Sequence, residues 1–460
     1  MTKPAINPAY ANKGRLTDGP ISKHLIRMSL PMTWGVLTMI SFQLADLFFI
    51  SKLGTKELAA ISFTMPVAMA VFSLIIGMAI AMSSVLSRAI GEGNEDQVKR
   101  LATQGLCFAF IAGLFFSGMG LFFIDPLFRV MGADNTMLPI IDDYMDIWFG
   151  GAVFLTMPIV GNAALRATGD TMTPAKIMTV VSVMNVILDP LLIFGMFGFP
   201  RLELHGAALA TVFANACAMF AGLYMICFKK KLISLRPFQI ELFGDTVKRL
   251  LFIALPAGIT NMIQPLTNAA IISMLAAYGT HAVAAFGIVS RVESFAFVVI
   301  IGLAGGMAPI IGQNWGAQNY DRVNETLHKA LGFSVLWAFF VAAILGLFAQ
   351  QIAGLFSDEA SVIHYTALYF WIVPITYAAG NLVQGWASAF NALGVPQRAA
   401  MMILSKYLIF QIPLAFIGGK LFGVPGIFAG IAATNLLLGV GLHFMNWRRC
   451  QMMQQAAPQS

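Results

Sequence analysis

The chain contains 460 residues, of which 58% are hydrophobic and only 11% are charged, and its mean hydropathy is +0.78. A typical soluble domain carries about 25% charged residues, so this composition excludes a set of water-soluble domains and requires lipid as the solvent for much of the surface. The formal net charge of +7 does not indicate a nucleic-acid partner, because most of the basic residues fall in the connections between apolar segments.

Apolar segments recur along the whole chain, and a helix needs about 20 such residues to cross the hydrocarbon core of a bilayer. The segments cover residues 25–51, 57–86, 103–124, 137–165, 172–198, 206–228, 249–277, 282–312, 327–350, 361–391, 399–421 and 424–447. The sequence therefore predicts an all-α polytopic membrane protein with twelve transmembrane helices in contact with the lipid bilayer.

The basic residues of the connections lie mostly on one side of the predicted membrane, together with both terminal segments. By the positive-inside rule, both termini are predicted to be cytoplasmic, in a multi-pass protein of the cell (inner) membrane. The chain is accordingly divided into a cytoplasmic N-terminal tail (1–24), an N-lobe (25–228), a basic cytoplasmic linker (229–248), a C-lobe (249–447) and a cytoplasmic C-terminal tail (448–460).

The two halves of the chain repeat each other. A shift of 225 residues aligns Leu30-Pro31 with Leu255-Pro256, and it continues without a gap through glycine, asparagine and aspartate matches as far as Val98 and Val323. A shift of 223 residues then aligns Asp189 with Ile412 and Thr211 with Thr434. Because each half has six spans, the copies form a parallel repeat about an axis along the membrane normal. Two six-helix lobes related by pseudo-two-fold symmetry are the expected architecture, which is typical of a carrier with alternating access.

Two acidic residues inside apolar runs of the first half predict a site. An ionised carboxylate near the bilayer centre costs at least about 2.5–3.5 kcal/mol on insertion scales, so Asp46 and Asp189 are expected to have partners and a function. Asn185 lies one helical turn before Asp189 on the same face, and Thr211 lies on the next span. We predict that Asp46, Asn185, Asp189 and Thr211 form a cation-coupling site.

Two chemistries fit such a site. Neighbouring carboxylates in a low dielectric resist being charged together, so one of them can bind a proton near physiological pH. Alternatively, the carboxylate, amide and hydroxyl oxygens of the same four residues could surround Na⁺, a hard cation that prefers oxygen ligands. The sequence leaves H⁺ and Na⁺ open as the coupling ion and indicates no other cofactor.

Two further acids are expected to be structural. Glu293 also falls inside an apolar run, and an internal ion pair with Arg291 or Lys406 would stabilise the C-lobe. Asp170 lies between Gly169 and Thr171 in a short connection, where an aspartate is typical of turn and helix-cap chemistry.

Several motifs resemble one known transporter family. The segment from Ala45 to Gly54 (ADLFFISKLG), the segment from Arg166 to Pro174 (RATGDTMTP), and Asn185 to Pro190 (NVILDP) followed by Gly206 to Thr211 (GAALAT) resemble the multidrug and toxic compound extrusion (MATE) family, and in particular its DinF-like prokaryotic branch. The resemblance covers the whole chain.

The resemblance implies a V-shaped twelve-helix fold and the export of organic cations in exchange for H⁺ or Na⁺. It places Tyr144 and Asn162 at cavity positions. One feature departs from the NorM-like branch, which carries acids in the second-half cavity, because the repeat mates of Asp46 and Asp189 here are Ile271 and Ile412.

The first span supplies the remaining predicted residues. Met32 and Met39 precede Asp46 and are expected to line a pocket for flat organic cations, because thioethers adapt to varied ligands. Pro31 removes a backbone hydrogen bond and is expected to act as a hinge, unless it merely begins the helix.

The expected function is a secondary multidrug efflux antiporter, a monomer that exports cationic amphipathic drugs and dyes in exchange for protons. The alternatives are a Na⁺-coupled drug antiporter of the same fold and a flippase for lipid-linked precursors, which would need a more cationic cavity. A major facilitator is disfavoured because residues 87–100 lack the basic signature of that fold. The sequence shows no catalytic motif and no Walker A sequence, which argues against an enzyme and a primary pump.

Overall fold

The structure is a computed structural model that describes residues 16–233 and 240–456. Residues 1–15 of the predicted N-terminal tail and 234–239 of the predicted linker lie outside the described residues. They include the basic residues Lys3, Lys13, Arg15 and Arg236. The described chain is helical nearly throughout. Its twelve membrane helices are α1 (Ile21–Ser51), α2 (Thr55–Glu92), α3 (Glu95–Val130), α4 (Leu138–Gly150 and Ala152–Ala167), α5 (Met172–Phe194), α6 (Glu203–Tyr224), α7 (Ile240–Ala276), α8 (Thr280–Ala296 and Val298–Gly316), α9 (Tyr320–Leu347), α10 (Ala360–Ile372 and Tyr377–Leu393), α11 (Pro396–Leu404 and Ile412–Phe422) and α12 (Val424–Ala456).

The predicted twelve spans and the all-helical fold class are confirmed. Of the described helices, eleven are long and apolar enough to cross a membrane, and α4 makes the twelfth if its two parts, bent by 47°, are one span. The last helix continues to Ala456, so residues 448–456 extend α12 instead of forming a separate tail. Similarly, α7 begins at Ile240 within the predicted linker.

Short polar sequences end one helix and begin the next. Between α2 and α3, Gly93 adopts the left-handed conformation (φ 80°) that suits a residue without a Cβ. The side chain of Asn94 then accepts a hydrogen bond from the Gln97 amide (3.1 Å) and caps α3. Two residues are thus enough to reverse the direction of the chain between two long helices.

The described residues pack as two compact units. The first contains Leu30–Gly258, and the second contains Leu16–Ser29 together with the chain from Ile259 onward. The first nine residues of α1 therefore belong to the second unit, and α7 belongs to the first unit as far as Gly258. Each unit has apolar cores of its own, formed around Met82 and Leu165 in the first and around Trp386 and Phe428 in the second.

Candidate cation-coupling site

The four predicted coupling residues lie on three helices of the first unit. Asp46 is on α1, Asn185 and Asp189 are on α5, and Thr211 is on α6. Asp189 is completely buried and Asn185 is 1% exposed, whereas Asp46 and Thr211 are partly buried. The structure thus keeps two carboxyl groups and an amide away from bulk water.

An apolar cluster fixes the level of these residues along the helix axes. It brings together residues of α1, α2, α5 and α6, namely Ile50, Ile61, Ile193, Leu204 and Ala207. Asp46 lies one turn before Ile50, and Asp189 lies one turn before Ile193. Thr211 lies one turn after Ala207. Because α1 and α5 cross the membrane in the same direction and α6 crosses in the opposite one, all three polar residues lie about 5 Å to the same side of the cluster.

Tyr144 joins the site from α4. It packs against the same apolar cluster and lies within electrostatic reach of both Asp46 and Asp189. The two carboxyl groups also lie within electrostatic reach of each other. Four helices therefore contribute to one polar layer, and the two acids are close enough that the protonation of one affects the other.

Four buried oxygens of this layer have no hydrogen-bond donor in the described part of the chain. Asp46 Oδ1, Asn185 Oδ1 and both carboxylate oxygens of Asp189 are buried, and none of them accepts a hydrogen bond from any described residue. Such unsatisfied groups are rare in folded proteins and costly. All of them are acceptors, so the site is suited to a ligand that supplies a positive charge or a hydrogen-bond donor.

A close approach of two helices sets the distance between α5 and α6. A Cβ added at Gly206 would lie 2.5 Å from the carbonyl oxygen of Leu192 and 2.8 Å from the backbone nitrogen of Ile193. Only glycine permits this contact, which brings α6 against α5 next to Asp189. On α6 itself, Asn215 Nδ2 donates to the carbonyl of Thr211 (2.9 Å), so the amide nitrogen of Asn215 is already engaged.

The structure separates the other predicted site residues. Pro31 lies inside α1, ten residues after Ile21, so it does not begin the helix. Met32 is 6% exposed and packed, whereas Met39 is 42% exposed, two turns before Asp46. Asn162 is buried but follows Tyr144 by 18 positions along bent α4, about 27 Å of helix. Tyr144 and Asn162 therefore do not share one layer.

The ion pair predicted for Glu293 is wrong. Tyr369 and Tyr377 donate their hydroxyls to Glu293 Oε1, at 2.6 and 2.5 Å. Glu293 forms no ion pair within 4 Å in the described part of the chain, Arg291 is exposed, and Lys406 interacts with Glu293 only electrostatically at longer range. The tyrosines displace the expected base because their hydroxyls satisfy the carboxylate without burying a second charge next to it.

The prediction for Asp170 is confirmed, and an ion pair accompanies it. Asp170 Oδ1 accepts from the Thr173 amide (3.0 Å) at the start of α5. Its Oδ2 accepts from Lys230 Nζ (2.8 Å), which follows α6. The cap was predictable from the sequence, but the ion pair with Lys230 was not, because the two residues lie 60 positions apart in the chain.

Comparisons with known proteins agree on one family. The MatE family model matches residues 31–191 and 256–417, one segment in each half of the chain. The chain is 40% identical over 436 residues to a protein of Shewanella oneidensis named FAD transporter, covering 95% of this chain and 96% of that protein. It is 27% identical to the probable multidrug resistance protein YoeA of Bacillus subtilis, with 87% and 88% covered.

Solved structures give the same result. The Vibrio cholerae MATE transporter VcmN in its bent form superposes with a TM-score of 0.88 at 30% identity, covering 94% of this chain and 97% of that one. The family match, the relatives and the helical architecture together identify the chain as a multi-span membrane transporter that belongs to the MATE family.

Proposed function

We propose that this protein is a secondary antiporter that exports amphipathic organic cations in exchange for protons, with Asp46, Asn185, Asp189 and Thr211 as the coupling site. The observation that carries the proposal is the set of buried acceptor oxygens without partners on Asp46, Asn185 and Asp189. Buried acceptors without donors in a low dielectric favour the binding of a cation, and H⁺ and Na⁺ are the candidate coupling ions.

The proposed coupling follows from charge. With both carboxyl groups ionised, the repulsion between Asp46 and Asp189 is relieved by a bound cation. A proton on one carboxyl group removes that negative charge and gives it a hydrogen-bond donor for its neighbour. Proton binding and cationic substrate binding therefore compete, which is the requirement for exchange.

A second substrate is favoured by one comparison. The relative named FAD transporter is 40% identical to this chain, whereas the relatives named for multidrug resistance or export reach 25–27%. FAD and the cationic dyes share a planar aromatic ring system but differ in the sign of their charge. Export of FAD through the same fold is our second candidate, and it leaves the proton site unchanged.

The test uses proteoliposomes with a pH gradient alone and then a Na⁺ gradient alone, with ethidium and FAD as substrates. We expect the pH gradient to drive transport and Asp46→Asn to reduce it at least a hundredfold without loss of protein. Transport driven only by Na⁺ would replace the proton in the mechanism. Full transport by a well-folded Asp46→Asn variant would refute the site.

Thr211 and its repeat mate provide a matched pair for the same assay. The Thr434 hydroxyl is buried and donates to the Gly430 carbonyl of its own helix (2.9 Å), and the repeat mates of Asp46 and Asp189 in that half are Ile271 and Ile412. We expect Thr211→Ala to reduce transport about tenfold or more and Thr434→Ala to leave it within about twofold. Equal losses would mean that coupling involves both halves.

The proposed setting is the inner membrane, with both termini cytoplasmic and the protein working as a monomer. The uneven distribution of basic residues supports this orientation. A cysteine label placed at Ser460 should react with an impermeant reagent only in inverted vesicles.

A further inference from the structure

The second unit contains a buried base that the proposed coupling mechanism does not use. Lys406 lies in the π-helical segment Ser405–Gln411, which joins the two parts of α11, and it is 8% exposed. A π-helical turn inside a membrane helix is unusual and frequently marks a functional site. A lysine with its charge buried at such a point needs acceptors from elsewhere.

Glu293 does not supply them. Its Oε1 atom already accepts from the hydroxyls of Tyr369 and Tyr377, and no contact within 4 Å joins it to Lys406 among the residues described. If Lys406 served only to neutralise Glu293, the two groups should meet directly. Instead, Glu293 balances the charge of Lys406 at a distance and leaves the ammonium group free to bind another partner.

The donors around Lys406 exceed the acceptors. The ammonium group has three N–H donors, and the described chain gives it one hydrogen-bond acceptor, the Gly380 carbonyl at 3.5 Å, while the ring of Tyr407 lies 5.2 Å away. Asn381 follows Gly380 and is 7% exposed, and its Nδ2 atom has no acceptor in the described part of the chain. A Cβ added at Gly380 would lie 2.8 Å from Asn435 Oδ1 and 3.4 Å from Lys406 Nζ, so the side chains of Asn435 and Lys406 both approach this glycine.

The unsatisfied groups of the coupling site and those around Lys406 are therefore opposite in kind. The first unit has acceptors without donors, on Asp46, Asn185 and Asp189, whereas this part of the second unit has donors without enough acceptors, on Lys406 and Asn381. We propose that Lys406 and Asn381 form a binding site for an anionic oxygen group, a phosphate or pyrophosphate of the transported compound. This inference rests on the second candidate function, export of FAD, and specifies which part of such a substrate the site binds.

The experiment uses three flavins that share one ring system and differ in phosphate. Riboflavin carries none, FMN carries one and FAD carries a pyrophosphate. Binding to the purified protein in neutral detergent, without an ion gradient, is measured by quenching of flavin fluorescence. We expect the wild type to bind FAD and FMN at least tenfold more tightly than riboflavin, because charge-assisted hydrogen bonds to phosphate are strong.

Substitutions then locate the site. Lys406→Gln should remove the preference for FAD and FMN and leave the Kd for riboflavin unchanged, while Lys406→Arg should keep the preference. Lys420→Gln, an exposed lysine on the same helix, is the matched control and should change nothing. Thermal unfolding of each variant shows that it is folded.

Three results would overturn the inference. The first is equal binding of all three flavins by the wild type, and the second is an equal loss of affinity for all three in Lys406→Gln, as a purely structural lysine would cause. Complete competition by micelles containing phosphatidylglycerol would assign the site to a lipid headgroup. Because binding is measured without a gradient, failure of proton coupling would leave this result intact, and the two proposals can fail separately.

Discussion

At the scale of single residues, Asp189 and Asp170 show two different environments for a carboxylate shielded from water. Asp189 is completely buried, and both of its oxygens lack a partner among the described residues. Asp170, in the connection before α5, is held by Lys230 and Thr173. The first arrangement costs stability and leaves a site able to bind a ligand, while the second contributes to the fold.

We expect Asp189→Asn to stabilise the protein and to inactivate it. The substitution removes a buried negative charge that no donor within residues 16–233 and 240–456 compensates, so the free energy of unfolding should rise by about 1–3 kcal/mol at alkaline pH. Proton-driven transport should fall by at least a hundredfold. Thermal unfolding in detergent together with the proteoliposome assay tests both effects, and a marked loss of stability would mean that Asp189 has a structural partner.

Asp170→Asn should have the opposite effect on stability. Burial raises the pKa of Asp170, but the hydrogen bond and charge of Lys230 and the hydrogen bonds from Thr173 more than offset this and hold the pKa below its ordinary value. A lowered native pKa stabilises the fold above the unfolded value of about 3.9, and this stabilisation disappears as the pH falls through the native pKa.

Asp170→Asn should therefore lower the free energy of unfolding by about 1–3 kcal/mol at pH 7. The difference from the wild type should shrink below about pH 4. Thermal unfolding of both proteins from pH 3 to pH 8 measures it. A penalty that does not change with pH would show that the charge of Asp170 is unimportant. Lys230→Met removes the same ion pair and should also lower stability, whereas Lys229→Met, at its exposed neighbour, serves as the control.

At the scale of helices, the site depends on the contact between α5 and α6. Gly206 lets the backbones approach at Leu192 and Ile193, next to Asp189 on one helix and one turn and a half from Thr211 on the other. Small residues serve this purpose in membrane helices because van der Waals packing, not the hydrophobic effect, holds them together.

Gly206→Ala should disturb this contact and with it the site. The new Cβ would meet backbone atoms at 2.5–2.8 Å, which cannot move aside as a flexible side chain can. We expect a loss of 1–3 kcal/mol in stability, about the cost of overpacking, and at least tenfold weaker transport. Gly222→Ala on the same helix, where nothing lies within 4 Å of the added Cβ, should be neutral, and equal behaviour of the two variants would contradict this account.

Sequence alone predicted the helices, and it singled out the acids of the candidate site, because both follow from local patterns. The twelve apolar runs and the acids within them needed no three-dimensional information, and the spacing of Asn185 and Asp189 placed them on one face. Contacts between distant segments were not predictable in this way. The tyrosines that hold Glu293 lie 76 and 84 residues away in the chain, and no periodicity connects them.

Tyr144 and Asn162 show a second reason why part of the site was not predictable from the sequence, namely the bend within a helix. They were predicted together from a resemblance, but α4 bends by 47° between its two parts, and their separation along the helix puts only Tyr144 beside the acids. Asn381 was missed, although an asparagine inside an apolar run could have been treated in the same way as Asp46 and Asp189.

At the scale of the whole molecule, the boundaries of the first compact unit lie next to two prolines that occupy equivalent positions in the repeat. The first unit begins at Leu30 and ends at Gly258. Pro31 lies next to the first boundary within α1, and its repeat mate Pro256 lies next to the second boundary within α7. Both helices therefore pass from one unit to the other at the positions where proline removes a backbone hydrogen bond.

Pro31→Ala and Pro256→Ala should each slow transport, because restoring the missing hydrogen bond stiffens the helix at the point where a hinge is expected. We expect a tenfold or greater loss in transport rate for each variant, no loss of thermal stability, and a larger loss for the double variant. Spin labels at Ile26 and Val180, both exposed, should show a distance change between pH 5 and pH 8 in the wild type and a smaller one in Pro31→Ala. Pro126→Ala inside α3, far from either boundary, is the control. If the labels keep the same distance at both pH values while the protein transports normally, Pro31 is not a hinge and the helix moves as a rigid body.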